Sequence, residues 1–127
     1  MGLIDYSSQT TKKVTTKGNK QKHINVSKIM YIFHEEGMSY IVLDDGTKID
    51  ELKTLKKFEA ELSNLGFFRI RDNVIINGYY IKETDKKIRK RNIKINGTEF
   101  VIAKKRLKNF KKWIDSFDIL ITCDTLS

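Results

Sequence analysis

Three consecutive polar residues, Arg71, Asp72 and Asn73, stand between two apolar segments at 67–70 and 74–76. Apolar runs of this length are typical of buried strands. Arg71 supplies guanidinium donors, Asp72 supplies a carboxylate acceptor, and Asn73 supplies an amide that both donates and accepts. Three such side chains between two buried segments should be exposed to solvent, where they could form hydrogen bonds with a polar partner.

A second group of polar residues follows the strand-like segment 98–103 and has helical spacing. The apolar members form one stripe, Leu107, Phe110, Ile114 and Phe117. The opposite face is basic and consists of Lys104, Lys105, Lys108, Lys111 and Lys112. This spacing predicts an amphipathic helix over about 104–117, with Arg106 in its first turn.

An amphipathic basic helix has three interpretations. It can be a solvated face over a core stripe, it can lie on an anionic membrane, or it can present cations to phosphates. The solvated face is the commonest of the three. The stripe has the ordinary width for core packing and Trp113 has no second aromatic anchor, which argues against a membrane. The basic residues begin in the first helical turn beside a strand end, which favours the interpretation that they bind phosphates.

The composition is that of one basic domain. The chain has 127 residues and a formal net charge of +9, which favours nucleic acid as a partner first and an anionic membrane second. A Lys-, Ile- and Asn-rich composition written by a biased genome would also give excess charge without a binding role. Basic residues concentrate in 12–28 and 82–94, and acidic residues between 35 and 61, so the chain is polarised.

The cysteine content and the N-terminus indicate a compartment. Cys123 is the single cysteine, so no internal disulfide can form and a reducing cytosol is the simplest setting. Segment 1–16 has no apolar stretch typical of a secretion signal, and no window approaches the roughly 20 apolar residues of a membrane span. We expect a soluble, cytoplasmic protein.

Turn residues divide the chain into strands. Gly18-Asn19, Asp45-Gly46 and Asn96-Gly97 each separate segments with strand character, and the last two pairs suit a two-residue hairpin turn. The predicted strands lie at about 12–17, 20–25, 29–34, 38–43, 47–52, 67–71, 74–77, 87–95 and 98–103.

A short helix interrupts these strands. Thr54 is a plausible N-cap for a helix that buries Leu55 and ends at Gly66, although a start after Asp50 that also buries Leu52 stays open. The predicted fold is mostly β: an elongated multi-stranded β-sheet fold with one short internal helix and a C-terminal basic amphipathic helix. We expect a flexible segment at 1–11, the domain at 12–117 and a tail at 118–127.

Together these features resemble the LytTR-type DNA-binding domain. Its output end carries a phenylalanine, arginine and valine-asparagine strand and then a basic start of the last helix. The resemblance covers roughly 12–114 and includes the strand 29–32, the helix start at Leu55, Arg69, Asn77 and the Asn96-Gly97 hairpin.

The resemblance implies a function and a site. Members of that family are elongated β-folds that bind double-stranded DNA through loops, so it implies a transcriptional regulator, here without a receiver domain. Three contact points follow: the loop 35–39, the insert 71–73 and the helix start 104–106. The implied DNA-binding residues are Ser39, Arg71, Asp72, Asn73, Lys104, Lys105, Arg106 and Lys108. Arg and Lys can donate to guanine, Asn can pair with adenine, and other Lys side chains neutralise phosphates.

The chain departs from the family pattern at two of these points. Where the family often has His, then Arg, Lys or Asn, then Ser, this chain has Arg71-Asp72-Asn73. Asp72 can still accept from cytosine N4, but its charge weakens attraction to the DNA backbone. Where the family usually has Ser and then Arg, this chain has Ala103-Lys104-Lys105, and Lys lacks the bidentate geometry of Arg. Glu35 and Glu36 also add negative charge to the first loop.

Other classes of function find little support in the sequence. His23 and His34 lack metal-ligand spacing, no serine has the context of a nucleophile, and Asp45-Gly46 suits a hairpin better than a calcium loop. We therefore predict no enzyme activity, no metal and no organic cofactor. A protein-interaction module of the same fold that has lost DNA binding remains the alternative. The partners we expect are double-stranded DNA, a second copy in a homodimer on repeated sites, and a sensor or regulator protein, but no membrane.

Overall fold

The computed structural model describes residues 11–15, 21–81 and 91–126, with side chains for 23–81 and 91–116. This part contains nine strands and two α-helices. The strands are β1 (Thr11–Thr15), β2 (Gln21–Asn25), β3 (Ile29–Glu35), β4 (Met38–Leu43), β5 (Lys48–Glu51), β6 (Phe67–Arg71), β7 (Val74–Asn77), β8 (Asn92–Ile95) and β9 (Thr98–Val101). The helices are α1 (Leu55–Leu62) and α2 (Lys104–Leu126).

A five-stranded antiparallel sheet forms the centre of the molecule. Its strand order is β5-β4-β3-β7-β6. Strand β3 is central because it pairs with β4 on one side, with Ile32 opposite Ile41, and with β7 on the other, with Ile32 opposite Ile75. Two separate hairpins, β1-β2 and β8-β9, complete the strands of the described part. The mostly β fold that the sequence predicts is therefore confirmed.

Each face of the central sheet is buried against a different element. On one face Ile32, Ile41 and Ile75 belong to a core cluster with Phe58 and Leu62 of α1. On the other face the neighbouring residues of the same strands belong to a second cluster. Its members include Val42, Ile76, Ile93, Ile95, Phe110 and Ile114. Burial on both faces explains why these strands read as continuous apolar runs rather than as an alternation.

Helix α1 has the boundaries that its capping residues dictate. The Thr54 hydroxyl accepts a hydrogen bond from the Lys57 N–H at 3.3 Å, which satisfies one of the N–H groups that a helix start leaves open. A short 3₁₀ turn at Ser63–Leu65 follows, and Gly66 ends it in the left-handed conformation with φ of 90°. The alternative start after Asp50 is wrong, because Leu52 is 78% exposed and lies outside the helix.

The predicted strands of the central sheet and the Asn96-Gly97 turn match the structure closely. Asn96 and Gly97 both have positive φ, as a two-residue hairpin turn with a mirror-image twist requires. Helix α2 differs, because it continues to Leu126 through the predicted tail, and no glycine or proline in 104–126 stops it. The predicted Gly18-Asn19 turn and residues 87–90 of a predicted strand lie outside the described residues.

Candidate nucleic-acid interface

The antiparallel order of the sheet places two tight turns at one end, which we call the upper end. Strand β3 reaches the turn Glu36-Gly37 there, and β6 reaches the turn Asp72-Asn73 there. The turns are adjacent because the His34 N–H donates to the Asn73 carbonyl at 2.9 Å. The loop 35–39 and the insert 71–73, which are far apart in sequence, therefore meet at the upper end.

The start of α2 reaches the same end through hydrogen bonds to β6. The Ala103 N–H donates to the Ile70 carbonyl at 2.9 Å. The Arg71 guanidinium donates through Nη1 to the Val101 carbonyl at 3.1 Å. Because these bonds align the chain leading into α2 with the end of β6, Lys104 begins the helix beside the insert. All three contact points that the family resemblance implies lie at one end of the sheet.

Asp72 forms the direct bridge between the insert and α2. Its carboxylate accepts a hydrogen bond from Arg106 Nη2 at 3.0 Å and forms an ion pair with Lys105 Nζ at 3.2 Å. The hydrogen bond from Arg106, followed by the hydrogen bond and charge of Lys105, lowers the pKa of the Asp72 carboxyl below its usual value. The acidic residue that departs from the family pattern is thus locally neutralised by two cations.

Arg69 and Arg106 also donate hydrogen bonds to backbone carbonyls beside this ion pair. Arg69 donates to the Asp72 carbonyl through Nε at 3.2 Å and Nη2 at 2.6 Å, and its Nη1 lies 3.4 Å from the Glu59 carboxylate. Arg106 Nη1 lies 3.5 Å from the Arg69 carbonyl. These guanidinium groups therefore fix the turn, and both side chains are largely buried, at 18% exposed for Arg69 and 23% for Arg106.

The remaining polar side chains of the upper end are displayed to solvent. Exposed residues of the predicted site are Arg71, Asp72, Asn73, Lys104, Lys105 and Lys108. Lys105 is 66% exposed although it contacts Asp72, so its ammonium is accessible to a partner. Lys104, Lys105 and Lys108 lie in the first two turns of α2, where the N-terminal end of the helix dipole also favours anions.

Ser39 has a different environment from the other predicted site residues. It is fully buried, its hydroxyl donates to the Lys53 carbonyl, and its oxygen lies 2.9 Å from His34 Nδ1. Ser39 pairs with Glu51 in the β4-β5 register and points to the α1 side of the sheet. Its place near the first turn is as predicted, but its hydroxyl is directed inward. A direct DNA contact by Ser39 stays a prediction that this geometry does not support.

Two residues important to this end were not predicted as part of the site. His34 lacks metal-ligand spacing and is not among the predicted site residues, yet its N–H donates to the insert and its ring lies within hydrogen-bond distance of the Ser39 hydroxyl. Arg69 is part of the family resemblance but not of the predicted site, yet its guanidinium donates to the Asp72 carbonyl in the turn. Strand alternation would not have identified Arg69, because the register shifts between Arg69 and Arg71. Arg69 contacts Glu59 of α1, whereas Arg71 contacts Val101 of β9.

No cluster of His, Cys, Asp and Glu suited to a metal ion occurs within the part of the chain that the structure describes. Among the helices of that part, none has an apolar stretch that could cross a bilayer.

Comparison with known proteins identifies the family. The sequence profile described as the LytTr DNA-binding domain matches residues 19–115. The chain belongs to the LytTr DNA-binding domain family. Its general function is therefore that of a DNA-binding regulator, its partner is DNA, and a family of this kind is consistent with a protein that is not an enzyme. The resemblance predicted from the sequence is confirmed.

A solved structure shares the fold. It is a LytTr DNA-binding domain from Bacillus cereus, from a protein described as a putative methyl-accepting/DNA response regulator. The two chains are 18% identical with a TM-score of 0.69, and the match covers 84% of this chain and 97% of the other. Comparison with curated proteins returned no match.

Proposed function

We propose that this protein is a sequence-specific transcriptional regulator that binds double-stranded DNA with the upper end of its sheet. The observation that carries this proposal is the bridge from Asp72 to Arg106 and Lys105, at 3.0 and 3.2 Å. It joins the insert and the start of α2 into one polar surface. A LytTr domain that uses loops for DNA contact needs these elements to reach one duplex together.

The residues of this surface divide into two roles by their chemistry. Arg71 and Asn73 are exposed at the β6-β7 turn. The Arg71 donors that do not bind the Val101 carbonyl can form hydrogen bonds with guanine, and the Asn73 amide can pair with adenine. Lys104, Lys105 and Lys108 lie along the start of α2 and can neutralise phosphates. The hairpin would then enter a groove while the helix start follows the adjacent backbone.

Asp72 limits attraction to DNA in general and can favour particular bases. In the free protein its charge is offset by ion pairs with Arg106 and Lys105, so these two cations are less available to a phosphate. A phosphate approaching α2 must compete with the carboxylate for Lys105. A cytosine N4 amino group, in contrast, can donate to Asp72. Asp72 therefore weakens backbone binding more than it weakens binding to a suitable base.

The test is a binding titration with duplex DNA, single-stranded DNA and RNA at several salt concentrations. For duplex DNA the logarithm of the association constant should fall linearly with the logarithm of salt concentration, with a slope of about −0.9 for each phosphate neutralised. Binding should be strongest for the duplex, and selection from random duplexes should yield a shared sequence. A flat salt response would overturn the proposal and favour a protein-interaction module of the same fold.

A further inference from the structure

The outer edge of β5 carries backbone hydrogen-bonding groups that pair with no other strand of the described part. Strand β5 is the last strand on its side and pairs only with β4 within the described residues. The opposite edge strand, β6, already receives the Ala103 N–H at the Ile70 carbonyl. Helix α1 packs on one face of the sheet, where Ile49 of β5 belongs to the same core cluster as Leu55 and Phe58.

The hydrogen-bond register shows which backbone groups of β5 point outward. The Leu43 N–H donates to the Thr47 carbonyl, so residues 43 and 47 are a hydrogen-bonded pair. Because such pairs alternate along an antiparallel ladder, Ile49 and Glu51 also face β4. The N–H and C=O groups of Lys48 and Asp50 therefore point away from the sheet.

These two residues are complementary to themselves under a twofold rotation. If a second copy of β5 pairs antiparallel about Ile49, Lys48 lies opposite the partner's Asp50, and Asp50 lies opposite the partner's Lys48. Both are then hydrogen-bonded pairs, which uses the outward N–H and C=O groups of both strands. Residues directly opposite each other share one face of a sheet, so each ammonium also meets a carboxylate. Lysine on an edge normally opposes strand addition, but here the added strand supplies its counter-charge.

An exposed leucine at the end of the same strand supports this arrangement. Leu52 directly follows β5 and is 78% exposed, the highest value among the exposed large apolar residues of the described part. In the twofold register Leu52 lies beside the partner's Gly46. A side chain built at Gly46 would meet no atom within 4 Å, so the space above that turn is open.

We propose that the β5 edge, defined as Lys48, Ile49, Asp50 and Leu52, is a self-association surface that pairs with β5 of a second copy of this chain. The interface is isologous, since each copy contributes the same patch. Strand addition of this kind uses backbone hydrogen bonds for affinity and side-chain pairs for register.

The arrangement has a consequence for DNA, which rests on the proposed function. The twofold rotation reverses the direction of β5, so the upper ends of the two copies face opposite ways. Such a dimer cannot place both upper ends on adjacent repeats of one straight duplex. It would instead hold two duplexes, or two distant sites of one looped duplex.

Charge variants of the full chain test the association without DNA. Sedimentation velocity from micromolar to millimolar protein should show a reversible dimer of the unchanged protein. Lys48→Asp and Asp50→Lys should each weaken self-association about tenfold, because each replaces two attractive cross-strand pairs with two repulsive ones. An equimolar mixture of the two variants should associate again as a heterodimer, since every pair is then opposite in charge. Thermal melts establish that both variants are folded.

Two results would overturn the self-association surface. One is a monomer across the whole concentration range, and the other is a mixture that associates no better than the single variants. Capture of a second duplex on immobilised duplex tests the bridging step separately. If association is observed but DNA binding is absent, the proposed function fails while the interface stands.

Discussion

The Asp72 carboxylate and the Arg106 guanidinium are 3.0 Å apart, across 34 residues of sequence, and they connect the β6-β7 turn to the first turn of α2. The contact has two opposing consequences for DNA binding. It orders the turn and the helix start relative to each other, and it places a negative charge at a surface that should attract a polyanion. Mutation of Asp72 can show which of these two effects on DNA binding is larger. Asp72 is exposed, and an exposed ion pair adds little to the stability of the fold, so the variant should stay folded.

Asp72→Asn should raise affinity for nonspecific duplex DNA about fivefold, since a carboxylate a few ångströms from phosphate is repelled even in water. The melting temperature should change little, because Asp72 is 71% exposed. Fluorescence anisotropy with an unrelated duplex measures the affinity. Asp45→Asn is the matched control, since it removes one charge at the opposite end of the sheet, where Asp45 accepts from the Thr47 N–H at 2.9 Å. Lower affinity in Asp72→Asn alone would show that Asp72 acts mainly by positioning Arg106.

Lys104 and Lys105 should differ from Arg106 when each is replaced by alanine. The double variant Lys104→Ala with Lys105→Ala should weaken duplex binding and make the salt slope shallower by about 1.8, because about 0.9 is expected for each phosphate that is no longer neutralised. Its melting temperature should be nearly unchanged, because both side chains are exposed. Arg106→Ala should instead reduce the free energy of unfolding by about 1–3 kcal/mol, because the largely buried guanidinium donates to the Arg69 carbonyl as well as to Asp72. Equal stability changes in both variants would contradict this division.

Arg71→Ala should lower affinity for the selected DNA sequence and relax the preference at one base position. If Arg71 reads a guanine, the loss is roughly 1–3 kcal/mol for that sequence and smaller for unrelated duplexes. Arg71→Lys is the informative control, because it keeps the charge but cannot form the bidentate pair. Competition titrations against single-base variants of the site measure the effect. A loss that is uniform across all sequences would assign Arg71 to a phosphate instead.

The sequence was sufficient to predict the strands of the central sheet, the β8-β9 turn and the start of α1, because their signals are local. The Asn96-Gly97 turn, the Thr54 cap and the apolar segments 67–71 and 74–77 each depend on neighbouring residues, and each appears in the structure. The family resemblance then supplied the association of the insert with the start of α2. Neither conclusion required knowledge of side-chain contacts between distant segments.

The environment of the individual site residues could not be predicted in the same way. Ser39 and Tyr40 alternate across β4, and the sequence alone does not say which of them faces the α1 core. Arg69 and Arg71 are the cations nearest to Asp72 in sequence, whereas the Asp72 carboxylate contacts Arg106 and Lys105 on α2. Long-range ion pairs of this kind depend on how β6 and α2 are aligned, which is a property of the packed fold.

Tyr80 provides a test of stability at the lower end of the sheet, opposite the proposed DNA surface. Its hydroxyl donates to the Ser27 carbonyl at 2.7 Å, so Tyr80→Phe should lower the free energy of unfolding by roughly 0.5–1.5 kcal/mol at neutral pH. The DNA affinity of this variant should be unchanged at neutral pH.

Burial, and then the nearby Asp44 carboxylate, raise the pKa of Tyr80 in the folded protein above the value near 10 expected for an unfolded chain. The stabilisation is therefore fully present below about pH 10 and is lost as the pH rises through the folded pKa. Urea unfolding at neutral and alkaline pH should show the difference between Tyr80→Phe and the unchanged protein shrinking at high pH, and a difference that is constant or grows would contradict the raised pKa.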